Sequence, residues 1–188
     1  LDSMPQPGHE FERTFLDVST KLEDTDRYMS WDEALDMAQI TEEQLAELKE
    51  QTLNINDFIT GKAESIGLKH ADGKIEFGLS PKNEIILLDV LGTLDEDRFL
   101  WNNIHVSKQV ARDYYKTTPW ADALEKAKEE GISKENWPGP ELLPADLKGI
   151  ISNMYKSVCE AWIGERPFKA PSIEDTMNSY KAFLEKGQ

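Results

Sequence analysis

Residues 67–79 read "GLKHADGKIEFGL" and run straight into residues 80–92, "SPKNEIILLDVLG"; how this pair is read decides the fold. Both halves are rich in Ile, Leu, Val and Phe around a polar "SPKN" break, which predicts one β-hairpin. A turn centred on Pro81–Lys82 sets Lys74 opposite Asp89 and Glu76 opposite Leu87. Side chains alternate along a strand, so Lys74, Glu76, Asp89 and Asp72 share one face. Ile75, Phe77, Ile86 and Leu88 then point the other way, into a core. Asp89 lies diagonal to Glu76, at about 7–8 Å between backbones. Three carboxylates around one lysine on an otherwise apolar face have two readings. One is a cross-strand ion pair of small energy. The other is a nucleotide site, because hard oxygen ligands suit Mg²⁺, which takes one or two carboxylates plus phosphate and water. Lys74 then neutralises a phosphate or holds a carboxylate. The pattern alone leaves both open.

Outward from the hairpin the chain is helical. "SWDE" at Ser30–Glu33 and "TEEQ" at Thr41–Gln44 are capping-box patterns. Leu45, Leu48, Ile55, Phe58, Ile59, Ala63 and Ile66 then recur at helical spacing, which predicts a helix to about Ser65 stopped by Gly67. Residues 1–29 are rich in Pro, Gly and charge and read as irregular, with a short strand at Thr14–Val18. "LDEDRFLWNNIHV" reads as a loop or short strand. Ser107–Lys116 reads as a helix, and Pro119 starts another that ends at Gly131. From Pro144, an apolar stripe of Leu147, Ile150, Ile151, Met154, Tyr155, Val158 and Trp162 predicts a core-packed helix. "SIED" at Ser172–Asp175 caps a terminal one. Helices with a small sheet make the fold class α+β.

The chain has 188 residues, a net charge of −15 and a pI near 4.6. That balance argues against nucleic-acid or anionic-membrane partners, which need an excess of Lys and Arg. Cys159 is the single cysteine, so no internal disulfide or cysteine zinc site is expected. No run is apolar enough to span a bilayer, and the expected location is cytoplasmic. The opening run "LDSMPQPGHEFERTF" reads as a connection, which points to further sequence upstream. His9, His70 and His105 lack metal-ligand spacing and read as surface or structural residues. Cys159 borders the apolar stripe and is not read as a nucleophile. Ser19 has no nearby base and reads as part of a binding loop.

Four blocks in order resemble the phosphoribosylaminoimidazole-succinocarboxamide synthases (SAICAR synthetases). They are "STK" at Ser19–Lys21 with Asp26 and Ser30 downstream, "ADGKIEFG" at 71–78, "LLDVLGTLDEDRF" at 87–99 and "SKQVARDYY" at 107–115. They cover roughly residues 15–116. The resemblance implies a SAICAR synthetase-like, ATP-grasp-like C-terminal lobe: a small antiparallel sheet flanked by helices over residues 30–188. Residues 1–29 are then a connecting segment and substrate loop, and the N-terminal nucleotide-binding lobe is absent from this chain.

It further implies an ATP-dependent ligase of purine synthesis, using Mg²⁺, that joins L-aspartate to carboxyaminoimidazole ribotide through a phosphorylated carboxylate. Carried over by position, Glu76 and Asp89 hold metal and nucleotide, with Lys74 beside the nucleotide and counted with Asp95 and Arg98 as catalytic. Asp95 and Arg98 line the substrate pocket, Arg98 facing a phosphate or carboxylate. Ser19, Lys21 and Asp26 lie near the substrates, and Lys108, Gln109 and Arg112 support the ribotide end. The implied partner is the missing lobe of the same gene product, and a homo-oligomer is compatible with the sequence. The chain departs from the family pattern at Thr25, Val90, Leu94, Glu96 and Asp97. Glu96 and Asp97 are odd beside an anionic substrate. These departures keep two alternatives open: a non-catalytic interaction domain that lost the chemistry, or a ligase for another amine.

Overall fold

The hairpin turn has three residues, not two. A computed structural model of the chain describes residues 6, 8–23 and 26–186; Leu1 and Thr25 lie outside them. Strand β2, Glu76–Leu79, pairs antiparallel with β3, Ile85–Leu88, in the register Glu76↔Leu88 and Phe77↔Leu87. The Ser80 N–H donates to Glu84 O at 2.8 Å, and Asn83, at φ 62°, takes the left-handed position of a three-residue loop. One extra loop residue slides the partner strand by one and reverses its faces. The sequence expectation is therefore corrected: Ile86 and Leu88 share a face with Glu76 and Gly78, and are exposed rather than core residues. Lys74 and Asp89 lie outside the ladder, so they are not a cross-strand pair.

Residues 69–73 leave the hairpin altogether. They form β1, Lys69–Gly73, which pairs with β4, Asp97–Trp101, and β4 pairs in turn with β5, Ile104–Val106. Sequence reading left the β4–β5 segment as a loop or short strand. Its signal is Asn102–Asn103, at φ 48° and 64°, the two left-handed residues that a tight primed hairpin turn requires. No strand forms at Thr14–Val18; only an isolated bridge joins Ser19 to Tyr28.

The helices follow their predicted signals. Helix α1 is Trp31–Ala38, with Ser30 Oγ accepting from Glu33 N–H at 3.1 Å. Helix α2 is Glu42–Ser65, opened by the reciprocal Thr41–Gln44 box and followed by Gly67 at φ 79°. Then come α3, Gln109–Lys116; α4, Pro119–Glu129; α5, Ala145–Ile163; and α6, Ile173–Lys186.

The chain divides into two compact units, residues 1–57 with 76–88, and residues 58–75 with 89–188. Among the described residues, every buried hydrophobic side chain belongs to the second unit, from Ile59 and Ala63 through Phe99, Val106 and Val110 to Leu147, Met154, Val158 and Met177. The first unit carries exposed Phe11, Phe15, Leu79, Ile86, Leu87 and Leu88.

In the last turn of α5, the carboxylate of Glu160, 6% exposed, accepts from Phe168 N–H at 2.7 Å and Ala170 N–H at 3.1 Å, with Arg166 Nε at 3.5 Å. It replaces a strand partner for the returning chain. Glu160→Ala removes the acceptor from the two amides, which is expected to cost about 2–3 kcal/mol. The melting temperature should fall by roughly 5–10 °C in a thermal scan.

Candidate functional site

In the second unit the candidate residues gather on the turn that leads into β4. Leu94 anchors this turn in the core at 4% exposure, which leaves the following Asp95 at the surface. Two backbone bonds flank it: Lys74 N–H donates to Glu96 O at 3.2 Å, and Lys108 N–H donates to Leu94 O at 3.0 Å. Lys74, Asp95 and Lys108, far apart in sequence, thus meet at one turn. Asp95 Oδ1 accepts a 2.7 Å hydrogen bond from the Tyr155 hydroxyl on α5.

Two residues further, as β4 begins, the chain turns inward. Asp97 is 3% exposed and lies 3.0 Å from His70 Nε2; His70 Nδ1 is 2.9 Å from Thr60 Oγ1. A buried carboxylate needs such a partner. Asp97 therefore does not stand beside a substrate, which removes half of the oddity at positions 96 and 97, and His70 is a structural histidine, as read.

Arg98 turns outward again. Its Nη1 donates to Asp72 Oδ2 at 2.9 Å, and both side chains are about half exposed. A bulge in β1 between His70 and Asp72 sets Asp72 directly across from Arg98. The pair is exposed, so its net energy is small and it can open to admit an anion. On α3, Ser107 Oγ accepts from Gln109 N–H at 3.2 Å and fixes the helix start, while Arg112 is exposed. Gln109 Nε2 donates to Asp113 at 2.7 Å. Burial works to raise the Asp113 carboxyl, but the hydrogen bonds from Gln109 and Lys116 outweigh it and hold it below the ordinary carboxylate value.

Asp89 sits at φ 67°, left-handed for a non-glycine residue, with its own Oδ1 accepting from Val90 N–H at 2.8 Å. That local bond is how an aspartate tolerates the conformation. Gly92, at φ 66°, passes against the Trp162 indole, where a Cβ would lie 3.0 Å from the ring.

In the first unit, Ser19 pairs with Tyr28, and Thr20 N–H donates to Arg27 O at 3.0 Å, closing the loop that carries Lys21 and Asp26. Lys21 Nζ forms an ion pair with Glu76. Two expected site residues 55 positions apart are thereby joined. Glu76 has only 15% of its side chain exposed, so its charge is partly desolvated. Asp26 is exposed.

Among the described residues no three of His, Cys, Asp and Glu cluster as a metal-holding group. Glu76 and Asp89 are nonetheless hard oxygen donors, and Mg²⁺ needs only one or two of them when phosphates complete its shell. The donor chemistry fits. Sequence reading missed Tyr155, the pairing of His70 with Asp97 and the partnership of Asp72 with Arg98. Tyr155 left one trace, a hydroxyl within an apolar stripe.

The sequence profile described as SAICAR synthetase matches residues 2–127. A homologue of phosphoribosylaminoimidazole-succinocarboxamide synthase from Archaeoglobus fulgidus is 34% identical over 180 residues, covering 96% of this chain and 54% of that one. The Thermoplasma acidophilum synthase is 34% identical over 174 residues, covering 88% of this chain and 58% of its own length. The chain thus spans a little over half the length of these relatives. Among solved structures, a SAICAR synthetase in complex with ADP superposes with a TM-score of 0.60 at 20% identity, over 87% of this chain and 56% of the other. The Pyrococcus horikoshii SAICAR synthetase gives 0.58 at 20% identity, over 87% and 57%. The profile match, over most of the chain and across all four sequence blocks, shows that this chain belongs to the SAICAR synthetase family.

Proposed function

We propose that this chain is the substrate-binding portion of an ATP-dependent ligase that joins L-aspartate to carboxyaminoimidazole ribotide. The observation that carries the reading is the turn at residues 94–96, bonded to the backbones of Lys74 and Lys108 and followed by Arg98. It brings the backbones of two lysines to an exposed carboxylate, one strand residue before a solvent-facing arginine. Cationic side chains carried on such a turn suit an anionic substrate.

The chemistry asks for positioning more than for a protein nucleophile. A carboxylate is a poor acyl donor until its oxygen takes the γ-phosphoryl of ATP, which leaves as ADP. The aspartate amine then attacks the carbonyl carbon, loses a proton and expels phosphate as the amide forms. Arg98 leaves Asp72 to hold a phosphate or carboxylate, where a guanidinium offers paired donors. Asp95 accepts hydrogen bonds from a substrate, and Lys74 neutralises charge that develops on phosphoryl oxygens. Lys108, Gln109 and Arg112 support the ribotide end from α3; Ser19, Lys21 and Asp26 serve the substrates from their own loop. Glu76 and Asp89 are the carboxylates proposed for magnesium and nucleotide, each on its own donor chemistry; Mg²⁺ would screen the triphosphate and polarise it. A nucleotide-binding lobe of the same polypeptide completes the enzyme, consistent with the length of the relatives.

A cytoplasmic location suits this reading, and no described helix is long and apolar enough to cross a membrane. The non-catalytic alternative loses one of its motives, because Asp97 faces the core. The test uses the polypeptide at full family length. ADP release should require L-aspartate and the ribotide together, and omission of either should reduce it to background. ADP release independent of both would overturn the assignment.

A further inference from the structure

The loop 89–96 carries Asp89 and Asp95, yet it has no regular structure of its own, and something must hold it still. Leu94 and the two backbone bonds already described hold its end, and two further contacts come from α5. Gly92 passes close against the Trp162 ring, and Asp95 accepts from Tyr155. Positions 155 and 162 are two helical turns apart and so share one face of α5. Trp162 is itself fixed, its ring centroid 5.8 Å from that of buried Phe99. Met154 and Val158 seat the same helix in the core.

We propose that Tyr155 is a positioning residue for Asp95, and that the α5 face it shares with Trp162 holds this loop for catalysis. The inference rests on the reading that Asp95 meets a substrate. Tyr155 engages Oδ1, so the carboxylate cannot swing freely and its Oδ2 edge has a set direction. Burial first, and then the bond to Asp95, push the Tyr155 phenol well above the ordinary tyrosine value. It therefore remains a protonated donor across the neutral range. The region is also notable for lying beyond residues 2–127, the span of the family profile. The α5 contribution is thus a feature of this chain that the four sequence blocks do not report.

The test uses the polypeptide at full family length and the variants Tyr155→Phe and Tyr155→Met, the second keeping apolar bulk in a different shape. With Tyr155→Phe, the KM for L-aspartate or for the ribotide should rise about five- to tenfold, as expected for a carboxylate freed of one charge-assisted bond. The kcat value should stay within about twofold and the melting temperature within about 3 °C, a split that a merely structural tyrosine would not produce. Tyr155→Met should show the same KM rise. Calorimetric affinities, which need no turnover, then close a cycle with Asp95→Ala: in that background Tyr155→Phe should change nothing further. Unchanged KM values in both Tyr155 variants would overturn the positioning role while leaving Asp95 in place. An equal affinity loss with and without the Asp95 carboxylate would do the same. Wild-type kinetics in Asp95→Ala would overturn the reading of Asp95 itself.

Discussion

Alanine at position 73 is expected to lower the melting temperature by roughly 10 °C, although it adds a single methyl group to a strand residue. Gly73 pairs with Asp97 across β1 and β4, and a Cβ there would fall inside the envelope of Asp97 Oδ1 and 3.3 Å from His70 Nε2. On the surface a carboxylate would simply rotate away. Here it is 3% exposed and held by His70, which is held in turn by Thr60. Displacing it separates a buried pair, at a cost of about 3–5 kcal/mol. The strand φ at Gly73 is ordinary, so the loss is steric rather than conformational. Asp97→Ala in the same chain should therefore recover part of the loss, giving a double variant more stable than the sum of the two singles. Differential scanning calorimetry reads all three. A melting temperature within 2 °C of wild type for Gly73→Ala would show that the carboxylate has somewhere else to go.

The largest effect on activity is expected at Glu76. Glu76→Ala should reduce kcat/KM by about 10²–10³ in the polypeptide of full family length, the size typical for removing one preorganised electrostatic contact from a transition state. Its ion pair with Lys21 involves a side chain that is 60% exposed, so the folding cost should stay within about 1 kcal/mol. The combination separates a functional carboxylate from a structural one. The variant should also need more Mg²⁺ for half-maximal rate, whereas loss of a simple salt bridge would leave the magnesium dependence unchanged. Full activity with an unaltered magnesium curve would remove Glu76 from the site.

Legibility in the sequence tracks the range of the interaction. Helix ends are set by contacts three residues apart, as between Thr41 and Gln44, or by one left-handed residue such as Gly67, so local reading finds them. Strand register depends on counting loop residues. Taking Pro81–Lys82 as the turn omitted Asn83, and one residue was enough to send Leu88 to the side of Glu76. The pairing of β1 with β4 joins segments separated by the whole hairpin, and no local pattern announces it. The tandem asparagines at 102 and 103 carry the signal of a tight turn, but beside Trp101 and the acidic "LDEDR" run it reads as loop.

The same limit governs the site. Residue types were legible, and to them the structure adds that Asp95 and the backbones of Lys74 and Lys108 meet at one turn and that Lys21 pairs with Glu76. What each carboxylate faces was not, because Asp97 inward and Asp95 outward differ only by where Leu94 and Phe99 anchor the chain. Tyr155 is the extreme case, a partner 60 residues from the group it orients.

The excursion of residues 76–88 between two strands that pair with each other has an evolutionary corollary. Closing a loop costs entropy that grows only with the logarithm of its length. The β1–β4 ladder is therefore nearly indifferent to how many residues the excursion contains. Lineages can lengthen or trim the turn at residues 80–84 while the ladder stays the same, so length variation should concentrate at that turn and spare both Glu76 and the ladder.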